Sequence, residues 1–225
     1  MVVINGICYI IGASFNAEQI SIPHGSDDYI IAADGGYDLL KKHNIEPDII
    51  VGDFDSVSST VNHNFTIKYP AEKDDTDSFL AYKLGYEKGY RKFVVYGGTG
   101  GRMDHTIANI QMLCHMAKNN ARGFLVGNST VITAIYNSKI NFPKNNVGKF
   151  GVFAFGRNAE GVNIIGAKYS LEDAVISPEY PIGVSNEFIG RNAEISVIDG
   201  TLVSVFYETE KEFLRKINIY TEDLL

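Results

Sequence analysis

Tryptophan is absent from this chain of 225 residues, and cysteine occurs only twice, at Cys8 and Cys114. Two isolated cysteines cannot build a disulfide framework or a CxxC metal site. They read as buried reduced thiols, which suits a cytoplasmic protein. Positive charge is also scarce: 20 Lys and Arg stand against 27 Asp and Glu, a net charge of -7. That balance argues against non-specific nucleic-acid binding, which needs a basic surface. No uninterrupted apolar run is long enough to span a bilayer. The apolar stretches Val2–Ile4 and Ile7–Ile11 are broken by Asn5 and Gly6 and lack a basic region, the pattern of a protein without a signal peptide. What remains, 45% apolar and 21% charged residues, is ordinary globular composition with ample chain for one large or two small domains.

Acidic residues are plentiful and clustered. Ile49-Ile50-Val51 reads as a buried strand that stops at Gly52, and Asp53-Phe54-Asp55-Ser56 follows. On an extended backbone residues two apart share a side, so Asp53 and Asp55 aim at one point. A second cluster follows in Lys73-Asp74-Asp75-Thr76-Asp77-Ser78. Carboxylates gathered this way repel one another unless a cation or protons share the site. Mg2+ prefers oxygen ligands and commonly takes one or two carboxylates plus substrate phosphates. An acidic site of this kind holds a polyphosphate only through bound metal and a few well-placed cations.

Along the chain, Ile7–Ile11 and Tyr29–Ala33 read as strands. Asp34-Gly35-Gly36 then precedes a helix over Tyr37–His43, with Asp34 placed as its N-cap and Asn44 before Pro47 as its stop. Gly35 and Gly36 allow a ligand close to the backbone, at a helix start that favours anions. Phe65–Tyr69 is a further strand. Asp74 or Asp75 is expected to cap a helix from Thr76 to Lys88, closed by Gly89, and Phe93–Tyr96 is the next strand. Strands alternating with helices indicate an α/β domain with a mostly parallel sheet, whose ligands sit beyond the carboxyl ends of the strands. Asp34, Asp53, Asp55 and the loop after Tyr96 all fall there.

That loop is Gly97-Gly98-Thr99-Gly100-Gly101-Arg102-Met103-Asp104-His105, followed by a helix over Thr106–Met116. Its glycines open backbone N–H groups to phosphate oxygens, and Arg102 adds a fork of donors. It is neither a Walker A loop nor a dinucleotide fingerprint. His105 is the one histidine beside a candidate site residue. From Phe124 onward the pattern changes to short β-branched runs: Phe124–Val126, Val131–Ile135, Lys149–Phe155, Gly161–Ile165, Ala174–Ile176, Ala193–Ile198 and Leu202–Tyr207. Asn, Gly, Pro and Asp turns separate them, and Asp199-Gly200 is a hairpin signal. The expected organisation is an α/β domain over 1–123 and an all-β domain of sandwich type over 124–225, with Glu208–Leu225 as a short helix or tail.

Taken together, these motifs resemble the thiamine pyrophosphokinase (thiamine diphosphokinase) family. The matching stretches are Ala33-Asp34-Gly35-Gly36, Pro47-Asp48, Gly52–Ser56, Lys73–Asp77 and Gly100–His105, then Gly166–Leu171 and Gly183-Val184-Ser185-Asn186-Glu187-Phe188. They run in order across Ile7 to Tyr207. The resemblance implies that the hydroxyethyl oxygen of thiamine attacks the β-phosphorus of ATP, giving thiamine diphosphate and AMP. It implies Mg2+ held by Asp53, Asp55 and Asp77. It further implies ATP contacts from Gly35, Gly36, Thr76, Gly98, Gly100, Gly101, Arg102 and Asp104, and Asp34 or Asp104 orienting or deprotonating the hydroxyl. Family members are homodimers with the active site at the interface, where Ser185 and Asn186 would contact the aminopyrimidine. Some relatives stack a tryptophan on thiamine. With none here, Phe188 or a tyrosine is the expected substitute.

Two other readings compete. Asp53-Phe54-Asp55-Ser56-Val57 satisfies the Asp-x-Asp-x-Thr/Val signature of haloacid-dehalogenase-type phosphohydrolases, with Asp53 as covalent nucleophile. Against that, Asp74-Asp75 comes far too soon for that family's late acidic pair. A non-catalytic nucleotide sensor is the third reading.

Overall fold

The computed structural model describes residues 2–13, 20, 22–23, 25–53, 65–70, 72, 74–127 and 129–224. The chain divides into two compact units, Met1–Asn109 with Leu125–Gly127, and Ile110–Phe124 with Asn128–Leu225. The first unit is α/β: β1 (Ile4–Ile11), β2 (Tyr29–Ala33), α1 (Gly36–Lys42), β3 (Ile49–Gly52), β4 (Thr66–Lys68), α2 (Asp77–Glu87), β5 (Tyr90–Tyr96), and the start of α3 (Met103–Lys118). Its strands lie in the order β4-β3-β2-β1-β5, and each of these pairings is parallel. Parallel strands are covered on both faces and so appear in sequence as continuous apolar runs. Cys8–Ile11, Ile30–Ala33, Ile49–Val51 and Phe93–Tyr96 are buried accordingly.

α2 runs back along this sheet. Its far end meets the amino end of β1, where the Ile4 N–H donates to the Gly89 carbonyl at 3.0 Å. Midway, Tyr82 packs edge-on against Phe93, with ring centroids 5.2 Å apart. Its eleven residues carry its first turn about 16 Å toward the carboxyl ends of the strands, at ~1.5 Å per residue.

β6 (Arg122–Gly127) has residues in both units. The second unit continues with β7 (Thr130–Tyr136), β8 (Lys139–Phe142), β9 (Lys149–Ala154), β10 (Ala159–Ile165), β11 (Leu171–Ile176), β12 (Asn186–Glu187), β13 (Ala193–Ser196), β14 (Thr201–Phe206) and α4 (Glu210–Tyr220). Two antiparallel layers form, β12-β9-β14-β7 and β11-β10-β13-β8. Aromatic rings join them: Phe142 of β8 meets Phe206 of β14 at 5.4 Å and Phe188 at 5.0 Å. Phe150 of β9 stacks on Phe188 at 4.5 Å. Two inner faces filling one aromatic core make this the expected sandwich.

The Asp199-Gly200 turn differs from expectation. It does not close a hairpin but carries the chain between layers, since β13 pairs with β8 and β10 while β14 pairs with β7 and β9. A second crossing, at Asn137, braces it: the Asn137 N–H donates to the Gly200 carbonyl, and the Gly200 N–H donates to Asn137 Oδ1 at 2.8 Å. The Asp-Gly signal marks a turn correctly; which strands then pair is decided by packing.

After Phe206 comes a packed helix, α4, rather than a loose tail. Thr209 and Glu212 form a capping box, each side chain accepting from the other's backbone N–H. Phe213, Ile217 and Tyr220, spaced for one helical face, are all buried. Phe213 lies 4.9 Å from Phe124, and Tyr220 lies 5.3 Å from Phe142. The buried Arg122 guanidinium donates to the Tyr220 carbonyl at 2.9 Å and to Asp223 at 2.7 Å, tying the end of the chain to β6. Among the described residues no helix is long and apolar enough to cross a membrane.

Candidate functional site

Strand register gathers the first unit's candidate residues. Ala33 pairs with Val51, Gly52 with Lys68, and Ile11 with Tyr96. The residues that follow (Gly12, Asp34, Asp53 and Gly97) therefore leave the sheet at its carboxyl edge. Two glycines make this crowding possible. A Cβ on Gly52 would fall 3.1 Å from the Asp34 Cα, and one on Gly97 would fall 2.4 Å from the Gly12 carbonyl oxygen. Bare backbone at these points lets the chain segments run side by side.

Asp34, expected as the N-cap of α1, does not cap it. Gly35 holds the cap position without a side-chain bond, and Asp34 adopts φ 49. A capping side chain needs the extended backbone of the cap residue itself; Asp34 comes one residue too early and is left-handed. Its N–H donates to the Val51 carbonyl at 2.8 Å, and its carbonyl accepts from Tyr37 at 3.1 Å. Gly35 and Gly36 follow it at the same edge, as expected.

The first turn of α2 arrives at that edge with Asp77 as its first residue. Its cap is Thr76 rather than Asp74 or Asp75: Thr76 Oγ1 accepts from the Phe79 N–H at 3.2 Å. Asp75 instead accepts from Lys83 Nζ at 2.6 Å. The cap position is set by which face packs on the sheet, here Leu80, Ala81 and Tyr82. Acceptance by Oγ1 leaves the Thr76 hydroxyl proton available for a ligand. Thr76→Ala should lower stability by about 1 kcal/mol, with Thr76→Ser close to wild type. Equal urea midpoints for wild type and Thr76→Ala would show that the cap does not hold the start of α2.

The glycine loop leaves β5 and enters α3 at Met103, three residues earlier than expected, so Asp104 lies in the first helical turn. Gly98 is fixed by its carbonyl, which accepts from Asn109 Nδ2 at 3.0 Å, while Gly100 at φ 87 has open space where a side chain would be. Gly101 precedes Arg102, whose Nη2 lies 2.6 Å and Nε 3.2 Å from the two Asp104 carboxylate oxygens. This fork holds the Asp104 carboxyl below the usual carboxylate range, chiefly through the hydrogen bond, and lifts the Arg102 guanidinium. Both side chains are well exposed. Exposed pairs are weak enough to exchange partners. His105 is exposed in the same turn. Asp55 lies outside the described residues.

In the second unit, Ser185 is exposed at φ 64 beside the buried Asn186. Asn186 Oδ1 accepts from the Tyr169 N–H at 3.0 Å, and its Nδ2 donates to the Tyr169 carbonyl at 2.6 Å. The amide thus clamps backbone and fixes the turn that presents Ser185. Phe188, expected as a stacking ring, is only 6% exposed and is held between Phe142 and Phe150 in the core. It cannot reach a ligand. Beside Ser185 lies a cleft of about 190 Å³ lined by Lys149, Phe150, Gly151, Phe153, Val184, Val205 and Tyr207. The sequence does not mark Phe153 and Tyr207 as cleft-lining residues. The signal available was the strand alternation of β9, which turns Phe153 away from Phe150, Val152 and Ala154.

A parallel α/β unit with a glycine-rich loop and carboxylates at its carboxyl edge is followed in the chain by a β-sandwich unit. The family model for the thiamin pyrophosphokinase catalytic domain matches residues 24–125, and that for the thiamin pyrophosphokinase vitamin B1 binding domain matches residues 137–202. Thiamine pyrophosphokinase of Bacillus subtilis is 29% identical over 182 residues, covering 78% of this chain and 85% of that one. Thiamin pyrophosphokinase 1 of Caenorhabditis elegans is 26% identical over 172 residues, 71% of each chain. The crystal structure of the Bacillus subtilis protein has a TM-score of 0.78 at 26% identity and covers 91% of this chain and 99% of its own. The chain belongs to the thiamine pyrophosphokinase family. Its reaction is that of the family, transfer of pyrophosphate from ATP to thiamine to give thiamine diphosphate and AMP.

Proposed function

We propose that residues 1–123 hold ATP with Mg2+ and carry the catalytic groups, while residues 124–225 hold thiamine. The observation that supports this most is the arrival of Asp34, Asp53, the Thr76-Asp77 turn and the Gly97–Gly101 loop at one carboxyl edge, where α/β sheets bind their ligands. Among the described residues no group of three His, Cys, Asp or Glu forms a metal-holding set by itself. Asp53 and Asp77, with Asp55 as the third proposed ligand, still suit Mg2+, because that ion commonly takes one or two carboxylates and fills its shell with water and phosphate oxygens. A Mg2+ ion held by these carboxylates would supply neutralisation of the phosphate oxygens on which charge develops.

The chain's own groups then align the reactants. Backbone N–H groups of Gly35, Gly36, Gly98, Gly100 and Gly101 and the Thr76 hydroxyl face ATP, and Arg102 exchanges Asp104 for a phosphate. The thiamine hydroxyl oxygen forms its bond to the β-phosphorus as the bond to AMP breaks, and its proton passes to Asp34 or Asp104. Alignment and charge neutralisation carry most of such a transfer. Ser185 and Asn186 contact the aminopyrimidine, and the Asn186 amide also holds the turn that presents Ser185. The assembly is a cytoplasmic homodimer with the active site at its interface, whose sedimentation should give a mass near twice 24.8 kDa.

The deciding measurement is AMP release from ATP with and without thiamine. AMP and thiamine diphosphate should appear in equal amounts and only with thiamine. A phospho-aspartate trapped on Asp53 would support the phosphohydrolase reading instead. Asn186→Ala should raise the KM for thiamine more than the KM for ATP; the reverse would move the vitamin site elsewhere.

A further inference from the structure

We propose that Asn109 is the positioning residue of the glycine loop: by holding the Gly98 carbonyl inward, it turns the Thr99 N–H outward as the loop's fixed phosphate donor. This rests on the assignment of ATP to the first unit. Asn109, Met112, Leu113 and Met116 follow the spacing of one helical face of α3, and all four are buried. Asn109 is the polar exception on that face, 6% exposed, and a polar group at such depth needs a hydrogen-bond partner. Its Nδ2 donates to the Gly98 carbonyl at 3.0 Å. An amide turned the other way would set two oxygens against each other, so the carbonyl fixes its orientation.

Gly98 is wedged as well as bonded. A Cβ there would fall 3.0 Å from Leu125 Cδ2 and 3.2 Å from Asn109 Nδ2. One residue earlier, Gly97 at φ 73 lies against the Gly12 carbonyl, and the Gly12 N–H donates to the Tyr96 carbonyl at 2.8 Å. Residues 96–98 are thus pinned, whereas Gly100 and Gly101 are exposed and the space around a Cβ on Gly100 is open. The peptide joining Gly98 to Thr99 is the last one pinned. In a trans peptide the C=O and N–H point in opposite directions. A carbonyl aimed at Asn109 therefore aims the Thr99 N–H away from it. Thr99 is half-buried, and among the described residues nothing accepts from its N–H. A donor already aimed needs no reorganisation when a phosphate oxygen arrives. Gly100 and Gly101 supply donors that adapt to it.

The test joins spectroscopy to kinetics. In protein carrying isotope-labelled threonine, the NMR signal of the Thr99 amide is identified by its loss in Thr99→Ser. It should move saturably as Mg2+ and ATP are added without thiamine, and Asn109→Leu should abolish that movement. Leucine keeps nearly the volume of the amide and removes the donor. The same variant should raise the KM for ATP about 10-fold or more, the effect of one misplaced hydrogen bond to a charged group, with the KM for thiamine within about twofold of wild type. A tether that serves only the fold would lower the urea midpoint and leave the KM for ATP at its wild-type value; that result would overturn the positioning role. Should Asn109→Leu not fold, the wild-type signal decides alone. A Thr99 amide that Mg2+ and ATP leave unmoved, in protein that makes AMP with thiamine, would overturn the donor assignment. Wild type that releases no AMP with thiamine would instead sink the functional assignment beneath it.

Discussion

Asp53→Asn should lower the rate of AMP formation at least about 100-fold under saturating Mg2+, which is about 2.7 kcal/mol of transition-state stabilisation, while leaving the urea midpoint near that of wild type. The substitution keeps the size of the side chain and removes only its charge. Asp53 follows Gly52 at the end of β3 and is partly exposed. Because the isostere keeps the reach and hydrogen-bonding atoms of the side chain, the stability change should not exceed the ~1 kcal/mol typical of a point substitution. Loss of turnover without loss of fold would thus report the chemistry of the carboxylate. Asp77→Asn should lower turnover similarly, yet it is the less discriminating variant. Asp77 begins α2, and an acid in a first turn contributes about 0.3–1 kcal/mol through the helix dipole. Wild-type turnover in Asp53→Asn would remove the residue from the metal role.

The α/β half was legible because its physics is local. Buried parallel strands are unbroken apolar runs, so Tyr29–Ala33 and the core of β1, β3 and β5 stand out in sequence. The carboxyl edge followed from strand order. Details that depend on packing were less legible. Thr76 caps α2 although Asp74 and Asp75 are good capping residues, because Leu80, Ala81 and Tyr82 fix which turn comes first. Lys139–Phe142 is a strand of four residues with a single clear alternation, too short to register against its polar neighbours. In β9 the run 150–154 is apolar on both sides. Composition alone does not say whether Phe150 or Phe153 faces out, nor that Phe188 is a core ring. Asn186 has a backbone-clamping role set by its pairing with Tyr169, a contact that no local pattern reveals.

The C-terminal helix holds the largest stability effect. Lys216 and Glu208 are both less than a tenth exposed, and Lys216 Nζ donates to Glu208 Oε1. The other Glu208 oxygen accepts from the Tyr220 hydroxyl at 3.0 Å, and that hydroxyl accepts from Asn146 Nδ2 at 2.9 Å. Burial and the neighbouring Glu208 push the Tyr220 phenol well up, so it remains a donor throughout the working pH range. Lys216→Met would leave the Glu208 charge buried beside one neutral donor, at a cost of about 3–5 kcal/mol. Against a total of about 5–15 kcal/mol that is a large share. Adding Glu208→Gln should restore most of the loss, because an amide accepts from Tyr220 without an unpaired charge. Tyr220→Phe should fall between them, since one hydrogen bond to a charged group contributes about 1.5–3 kcal/mol. Urea unfolding of the four proteins sets the order: wild type, the double variant, Tyr220→Phe, then Lys216→Met. Lys216→Met within about 1 kcal/mol of wild type would mean that Glu208 escapes to water when α4 loosens. The helix would then be held mainly by the packing of Phe213, Ile217 and Tyr220 and by the Arg122 bonds at its end.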